Sequence, residues 1–375
     1  MKPVDVVIAG GGPAGLATAI AASRRGLRVE VLDCRRPPIE KTCGEGLLAN
    51  AVAALAALGT RLDLHPAFPF SSFRFTDENS SVAAPILRGG GIGIRRRELH
   101  RLLIERAEAE GVSLRWGARI SGFERAGVWV RSEFHRCRWL IGADGQDSLV
   151  RRYAGLDGRR QVRRRFGFRQ HFAVAPWSGG VEVHWRDGAQ LIVTPTAPEE
   201  ICIVLLTRDP RLRIGRAIQQ FPEIARRLDG AVATSRETGT TTRLSRARAA
   251  VRRNIALVGD ASCTMDGISG HGLSLAFEEA LALGDALAQE NLAPYQQAHE
   301  RITKMPVRMT KLLLMLDASP VLRRAVLRIL AANPKLFSRL IDLHVGSVFI
   351  PHRTAGEPAV TGRRADLACQ LYEPN

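Results

Sequence analysis

The chain has 375 residues, 45% of them hydrophobic and 24% charged, which is the composition of an ordinary globular protein of one or two domains. Its formal net charge of +17 comes mostly from arginine, but no recognisable nucleic-acid-binding module gathers these residues, so we expect no nucleic-acid partner. Six scattered cysteines without a Cys-x-x-Cys pair argue against a metal site and against a disulfide scaffold.

Residues 4–33 predict a buried strand, a glycine-rich turn, an alanine-rich helix and a second strand, in that order. In the turn, Gly10 allows the sharp bend, Gly12 lets the backbone approach a pyrophosphate, and Gly15 lets helix and strand pack closely. A dinucleotide site at this turn is the favoured interpretation, and a plain strand–helix turn is the alternative.

The groups beside this turn complete the predicted dinucleotide site. Pro13 and Ala14 begin the helix, whose unpaired N–H groups and positive dipole end suit phosphates. Asp33, about 20 residues after the turn, is placed to accept hydrogen bonds from an adenosine ribose. Cys34 and Arg35 follow it directly and are included in the predicted site.

Further along the chain, the pattern alternates between strands and helices before it changes to a β-rich block. Short strands are predicted at 73–75, 92–94 and 128–130, and a helix at 96–110 that ends at Gly111. Residues from about 160 to 250 read as strands of a separate sheet, followed by a buried strand at 254–260 and then by helices to about 345.

Two later motifs identify the dinucleotide: IGADGQDS at residues 141–148, and ALVGDA at 256–261 with GISGHGLS at 267–274. With these motifs the chain, over about residues 1–290, resembles the flavoprotein monooxygenases of the para-hydroxybenzoate hydroxylase type and the related geranylgeranyl reductases. The resemblance implies that the dinucleotide is FAD.

The resemblance also implies FAD contacts beyond the first turn. Asp260, at the end of a strand, suits the hydroxyls of the ribityl chain. Gly270, Gly272 and Leu273 begin a helix whose N–H groups are expected to stabilise negative charge on the pyrimidine edge of the reduced flavin. The remaining predicted contacts are Ile120, Gly259, Asp144 and Arg96. Arg96 matches the arginine that precedes R-x-x-L in the superfamily. For Asp144, the alternative role is to orient the backbone.

The segment Thr42-Cys43-Gly44-Glu45-Gly46 is similar to a Cys-Gly-Glu-Gly of the geranylgeranyl reductase branch and of monooxygenase-like flavoproteins from polyketide pathways. Its glycines, Gly44 among them, imply a backbone that runs along the flavin ring. Cys43 is a candidate flavin contact and catalytic residue, although an inert buried cysteine is the favoured alternative. For Glu45 we favour a helix cap over an acid–base role.

Two positions depart from the pattern of the superfamily. Gly267 stands where proline is usual, and His271 stands where Glu or Gln is usual. His271 is therefore a candidate catalytic proton donor or acceptor. In the alternative interpretation its side chain faces away into the interdomain seam.

The predicted fold class is α/β: a Rossmann-like FAD-binding domain (GR2-type) with an inserted β-sheet substrate domain and a C-terminal helical region. The predicted domains are the FAD-binding domain (1–75, 95–155 and 250–290), the substrate domain (76–94 and 156–249), the C-terminal helices (291–350) and a tail (351–375).

The function that we expect is that of an FAD-dependent monooxygenase acting on a hydrophobic aromatic or polyketide-like substrate. It would use O2 and NAD(P)H, the latter as a transient donor, because no second Gly-x-Gly-x-x-Gly is present. The alternatives are a reductase that saturates prenyl C=C bonds and a non-catalytic flavin-binding protein. Candidate substrate contacts are an apolar wall (Phe166, Phe168, Phe172, Val183, Trp185, Ile192, Val193), although ordinary core packing is the favoured interpretation for most of these residues. Three polar groups (Arg169, His171, His184) are candidates for orienting a phenol or carboxylate.

The location of the protein is predicted from what precedes the first strand and from the C-terminal helices. Val4 already begins that strand, which leaves no room for a signal peptide, and no apolar run approaches the ~18 residues of a membrane span, so we expect a cytoplasmic protein. Residues 306–346 form amphipathic segments with arginine and lysine on the polar face. Three interpretations of these segments remain open: a helical cap over the second domain, the lining of a tunnel for an acyl or prenyl chain, and a peripheral membrane contact.

Overall fold

The computed structural model describes residues 4–62, 67–87, 89–158 and 164–346, so the predicted tail lies outside the described residues. The strands are β1 (Val4–Ala9), β2 (Val29–Asp33), β3 (Gly46–Leu47), β4 (Ala67–Phe70), β5 (Ser72–Thr76), β6 (Ser81–Pro85), β7 (Gly91–Ile94), β8 (Ser113–Trp116), β9 (Ile120–Glu124), β10 (Gly127–Val130), β11 (Glu133–Gly142), β12 (Arg165–Ala173), β13 (Gly180–Arg186), β14 (Ala189–Ala197), β15 (Glu200–Thr207), β16 (Val232–Ala233), β17 (Thr238–Thr242), β18 (Ser245–Arg246), β19 (Val251–Arg252), β20 (Ile255–Leu257) and β21 (Cys263–Thr264). The helices are α1 (Pro13–Ser23), α2 (Ala49–Ala57), α3 (Arg96–Ala109), α4 (Leu149–Tyr153), α5 (Ile214–Ile218), α6 (Pro222–Arg227), α7 (Gly272–Ala288), α8 (Ala293–Ala318), α9 (Pro320–Ala332) and α10 (Pro334–Val345).

The first sheet has the strand order β19-β20-β11-β1-β2-β8, and the β9–β10 hairpin extends it along β11. Its central strands run parallel, with β1 between β11 and β2. Parallel strands buried on both faces need continuous apolar sequence, and Val6, Val7 and Ile8 are fully buried. One face packs on α1, α3 and α7, and the other contacts the region around α4. The carboxyl ends of these strands therefore meet at one edge of the sheet, where ligands bind in open α/β folds.

The second sheet has the order β16-β12-β15-β14-β13-β5-β6, with β17 also paired to β12. It is antiparallel except where β13 runs parallel to β5. One of its faces packs on α5 and α6, and the other packs on α8 to α10. A small sheet of β3, β7 and β4 packs against β14 of the second sheet, where a Cβ on Gly93 would lie 1.7 Å from the Pro195 carbonyl oxygen.

The predicted α/β class is confirmed, and individual elements follow the expected patterns. The helix expected at 96–110 is α3, and the turn after it contains Gly111 with φ +75°. The division into domains stays a prediction, but its boundary at residue 75 cuts β5, all of which pairs in the second sheet. None of the helices in the described ranges combines the length and the apolarity that crossing a bilayer requires.

Candidate functional site

The glycine turn between β1 and α1 has the close contacts that its sequence predicts. Gly10 has φ +109°, and a Cβ there would lie 2.4 Å from the carbonyl oxygen of Ala143. A Cβ on Gly15 would lie 1.9 Å from the carbonyl oxygen of Gly10. At Gly12, the residue before the first turn of α1, a Cβ would meet no described atom within 4 Å. The helix N-terminus is thus open for a close approach at Gly12, as a phosphate group requires.

Asp33 and His100 hold this turn in place. The buried Asp33 carboxylate accepts hydrogen bonds from the backbone N–H groups of Gly11 and Arg35, each at 2.8 Å. The His100 ring nitrogen Nε2 lies 2.8 Å from the Gly11 carbonyl oxygen. Asp33 therefore has a structural role in addition to the ribose contact, which stays a prediction. His100 was not expected, because its position inside α3 carries no local signal of contact with the turn.

The two later aspartates have different surroundings. The Asp144 carboxylate accepts the backbone N–H groups of Leu149 and Val150, at 2.6 and 3.2 Å, and so caps the start of α4. This contact supports the backbone-orienting alternative for Asp144. Asp260 lies in a short 3-10 turn after β20, and its carboxylate forms an ion pair with the ammonium group of Lys41.

Glu279 fixes the turn that carries Asp260, and the sequence analysis missed it. This fully buried carboxylate accepts the Gly259 N–H at 2.6 Å and the Ser262 hydroxyl at 3.1 Å. It also lies 2.9 Å from Nδ1 of His299 on α8. An acidic residue within the apolar sequence of α7 is the signal that could have revealed this role, since buried carboxylates require partners.

The Cys43–Glu45 segment corrects one of our predictions, because Glu45 does not cap α2. The helix begins after Leu48, which makes no side-chain cap, while the Glu45 carboxylate is buried among charges. Its Oε1 lies 2.6 Å from Nη1 of Arg169, and its Oε2 lies 2.6 Å from Nε2 of His171. Glu45 also has φ +59°, a conformation that costs a non-glycine residue energy and that surrounding contacts must maintain.

These contacts determine the charge of Glu45. Burial opposes its ionisation, but the hydrogen bond from His171 and the positive charge of Arg169 outweigh that effect and hold the pKa of Glu45 below its usual value. Glu45 also accepts the backbone N–H of Arg96 at 3.0 Å. The carboxylate therefore joins β12 of the second sheet to the start of α3, beside Cys43 and Gly44.

Arg96 places an unsatisfied positive group at the edge of the first sheet. Its side chain is buried, and Nε has no hydrogen-bond partner among the residues that the structure describes. Burial lowers its pKa, with the charges of Cys43, Asp260 and Glu45 opposing the shift. A buried guanidinium without a carboxylate partner suits an anionic ligand such as a pyrophosphate.

A cavity of about 700 Å³ joins these groups. The predicted cofactor residues that line it are Gly10, Gly12, Pro13, Ala14, Asp33, Cys34, Arg35, Cys43, Gly44, Arg96, Ile120, Asp144, Gly259, Asp260, Gly270, Gly272 and Leu273. Gly15 and His271 are not among the lining residues, Gly15 because it packs against the turn itself. The open approach at Gly12, the buried Arg96 with its unsatisfied Nε and the helix N-terminus at Gly272 together fit a long dinucleotide that carries phosphates and a ring system.

The cavity continues into an apolar space against the second sheet. Val183, Trp185 and Ile192 line it as expected, together with Phe73 and Phe75 of β5. Phe166, Phe168, Phe172 and Val193 do not share this wall and instead follow the core-packing interpretation, because strand alternation turns their side chains to the opposite face, where they pack around α5 and α6. Arg169 and His171 bind Glu45, and His184 lies 3.0 Å from Glu182, so these three groups have protein partners.

His271 faces the C-terminal helices. Its Nε2 lies 2.8 Å from the His344 carbonyl oxygen, and the two imidazole rings meet edge to face at 4.3 Å. Burial lowers the pKa of His271 to about 4, so the ring is neutral near pH 7. The geometry matches the seam-facing alternative, and the histidine that does line the cavity is His344 of α10, which no sequence signal indicated.

A family comparison decides between the possible ligands of this cavity. The family described as an FAD binding domain matches residues 3–300, which is most of the chain. The chain belongs to this family. The cofactor of the flavoprotein is FAD, and the predicted membership of the FAD-dependent monooxygenase superfamily is confirmed.

Individual relatives of the flavoprotein differ in their reactions. It is 27% identical over 325 residues to the menaquinone reductase of Mycobacterium tuberculosis, and this match covers 77% of this chain and 78% of that protein. It is 32% identical over 170 residues to the 3-(3-hydroxy-phenyl)propionate/3-hydroxycinnamic acid hydroxylase of a Mycobacterium species, spanning 40% of this chain and 29% of that protein. The flavin-dependent brominase Bmp2 has the same fold, with a TM-score of 0.79 at 20% identity over 93% of this chain and 94% of the brominase. The flavoprotein is thus an FAD-dependent oxidoreductase.

Proposed function

We propose that this flavoprotein is a monooxygenase that hydroxylates a hydrophobic, aromatic or polyketide-like molecule with O2 and NAD(P)H. One observation carries the proposal: a single cavity extends from the open turn at Gly12 to an apolar wall that contains Phe73, Phe75 and Trp185. A ring-bearing substrate that fills this space would lie beside the cofactor. The resemblance in the cofactor motifs and the partial similarity to a hydroxylase support the oxygen-using reaction.

The residues of the chain bind, orient and exclude water in this proposal. Bound FAD supplies the two-electron chemistry, whether toward O2 or toward a substrate double bond. The turn at Gly12, the Arg96 guanidinium and the start of α7 would hold the cofactor, while Glu45 fixes the segment at Cys43 and Gly44. The wall residues Val183 and Ile192 keep water from the reacting centre, which strengthens every electrostatic interaction there.

A reductase is the second candidate, because the match to the menaquinone reductase covers 77% of this chain, whereas the match to the hydroxylase covers 40% of it. An apolar cavity would also accept a prenylated quinone. In this reaction FAD would supply the two electrons that saturate a C=C bond of the substrate, and O2 would take no part.

Isotope labelling separates the two reactions. The FAD-loaded protein is supplied with NADH or NADPH, 18O2 and a 5-alkylresorcinol, and we expect faster NAD(P)H oxidation with one 18O atom in the product by mass spectrometry. In parallel, dithionite-reduced protein is incubated anaerobically with a prenylated naphthoquinone. A quinone that is still two mass units heavier after its quinol form has been reoxidised in air, with no label from 18O2 in the first assay, would identify the reductase. A bound flavin that neither donor reduces would contradict both proposals.

The apolar wall can be tested with a matched pair of variants on β14. Ile192→Ala enlarges the cavity, whereas Leu191→Ala alters the opposite face of the same strand, where the side chain is fully buried. Both changes destabilise the fold, Leu191→Ala by about 2–5 kcal/mol because that side chain is fully buried, and Ile192→Ala by less because its side chain is partly buried. We expect only Ile192→Ala to shift the preferred alkyl-chain length in the resorcinol assay. An equal shift in both variants would remove the wall from substrate recognition.

A further inference from the structure

Large apolar side chains are exposed mainly on the last three helices. Among the described residues eleven such side chains are exposed, and seven of them lie between residues 312 and 343. Val321 is 77% exposed and Ile329 55%. The seven are Leu312 and Met315 on α8, Val321, Leu322 and Ile329 on α9, and Leu336 and Leu343 on α10.

These outward residues are not needed for packing, because the inner faces of the same helices already supply the core contacts. Leu327 of α9 and Phe337 and Ile341 of α10 are buried against the second sheet, in one cluster with Phe73 and Val82. Concentrated exposed apolar surface is uncommon on a protein that meets only water, and it marks a contact with another apolar phase or partner.

The same outer faces are strongly basic. Arg328, Lys335 and Arg339 are exposed and have no ion-pair partner within the described part of the chain. Of the acidic groups on these helices, Asp317 binds Arg165 and Arg208, and Asp342 accepts a backbone N–H at the second sheet. Residues 293–346 contain nine basic residues (Arg301, Lys304, Arg308, Lys311, Arg323, Arg324, Arg328, Lys335, Arg339) and three acidic ones (Glu300, Asp317, Asp342).

We infer that the outer faces of α8, α9 and α10 dock the flavoprotein on an anionic lipid bilayer. Helices that present apolar side chains amid lysine and arginine lie in the headgroup region, with the apolar groups in the acyl boundary and the cations on anionic headgroups. The docked surface adjoins the substrate cavity, since Leu313 of α8 and His344 of α10 line that cavity. A lipid-soluble substrate can then enter from the bilayer.

Charge argues against two other partners for this surface, a second copy of the chain and residues 347–375 of the same chain. A second copy would bring the same basic face against itself, and like charges in contact repel. Residues 347–375 contain three arginines and three acidic residues, so this segment brings no net negative charge to the surface. Anionic lipid complements both the apolar and the basic groups.

Vesicle flotation tests the inference without any substrate, so its result is independent of the reaction proposed above. The FAD-loaded full chain is mixed with vesicles of phosphatidylcholine alone or with phosphatidylglycerol. We expect binding to the anionic vesicles only, weakening as salt rises from about 0.1 M to 1 M. The double variant Ile329→Glu/Leu336→Glu should lower the constant for partition of the protein from water to the anionic vesicles at least about tenfold. The triple variant R328Q/K335Q/R339Q should lower it about a hundredfold, at roughly fivefold per charge.

Control variants keep the outcome interpretable. Val232→Glu changes an apolar residue that is 68% exposed on β16, and R211Q/R216Q/R226Q removes three exposed arginines near α5 and α6. Both controls should bind anionic vesicles as the unaltered chain does. The inference is overturned if the unaltered chain does not float with anionic vesicles, or if the control and test variants lose binding equally. Two further outcomes would also overturn it. Vesicle binding that appears only after removal of residues 347–375 would mean that this segment covers the surface. A dimer that the Ile329→Glu/Leu336→Glu variant abolishes would mean that a second copy covers it.

Discussion

At the scale of single residues, substitutions at the three glycines of the first turn should affect cofactor binding and folding differently. Gly12→Ala places its Cβ in open space, so we expect the apoprotein to keep its free energy of unfolding within about 1 kcal/mol. The same Cβ stands where the pyrophosphate must approach, and the FAD dissociation constant should rise at least about tenfold. Urea unfolding of the apoprotein and fluorescence titration with FAD measure the two quantities.

The neighbouring glycines provide the contrast for that experiment. At Gly10 and Gly15 a Cβ would lie 2.4 and 1.9 Å from backbone oxygens, so alanine there should destabilise the apoprotein itself. If Gly12→Ala bound FAD normally, the cofactor phosphates would not lie against this turn.

Glu45 yields a second prediction at this scale. Glu45→Gln leaves the buried Arg169 guanidinium and His171 without the carboxylate that they share, and we expect the free energy of unfolding to fall by about 3–5 kcal/mol. Glu40→Gln is the matched control, because Glu40 binds the same guanidinium with a side chain that is 44% exposed, and its loss should cost about 1 kcal/mol or less. Equal losses in urea unfolding would show that Glu45 is no more than an ordinary ion pair.

Residue-level chemistry was predictable from sequence where the relevant contacts are local. The turn at Gly10, Gly12 and Gly15 depends on neighbours within a few positions, and the structure places it as expected. The role of Glu45 depends on Arg169 and His171, which are more than a hundred residues away, so local reasoning could only suggest a cap. Only the paired sheets bring these charges together.

At the scale of elements, helix α7 carries a titrating group that links it to α2. Burial raises the pKa of Glu278 to about 7, Glu279 adds to this shift, and a 2.6 Å hydrogen bond from Asn50 opposes it. Because the folded state holds this proton more tightly than the unfolded state, the contribution of Glu278 to stability is fully present below about pH 4.5 and is lost as pH rises through about 7.

Glu278→Gln should abolish this dependence. The difference in free energy of unfolding, variant minus unaltered apoprotein, should increase by on the order of 2–3 kcal/mol from pH 5 to pH 7, because only the unaltered protein loses the contribution of Glu278. Above pH 7 the difference should remain level. Urea unfolding across this pH range measures the difference. Two parallel pH profiles would show that Glu278 ionises normally in the folded protein.

Periodicity predicts that an element exists better than it predicts which way the element faces. Alternation in 166–172 correctly indicated β12, yet it could not say that Phe168 and Phe172 turn toward α5 and α6. Both faces of the second sheet are apolar, so alternation alone leaves the cavity side undetermined. In the same way, the helical pattern after residue 320 did not show that His344 reaches the cavity.

At the scale of the whole molecule, cofactor binding should stabilise both large sheets together. The cavity is lined from β1, β2 and α1 on one side and from β13 and β14 on the other. Saturation with FAD at 100 times its dissociation constant should add about 2.7 kcal/mol of stability. Hydrogen exchange should slow in residues 4–23 and in 181–194, whereas α5 and α6, on the far face of the second sheet, should change least. Protection confined to residues 4–23 would mean that the cofactor stabilises only the first sheet.

The order of strands along the chain has a consequence for changing the specificity of this protein. The wall behind the cavity is assembled from two stretches, 72–85 and 165–242, and the chain visits the first sheet before, between and after them. Recombination with a homologue at a single crossover point would therefore mismatch two halves of one wall. An exchange of specificity requires that both stretches be transplanted together with Glu45, because its partners Arg169 and His171 lie in the second stretch.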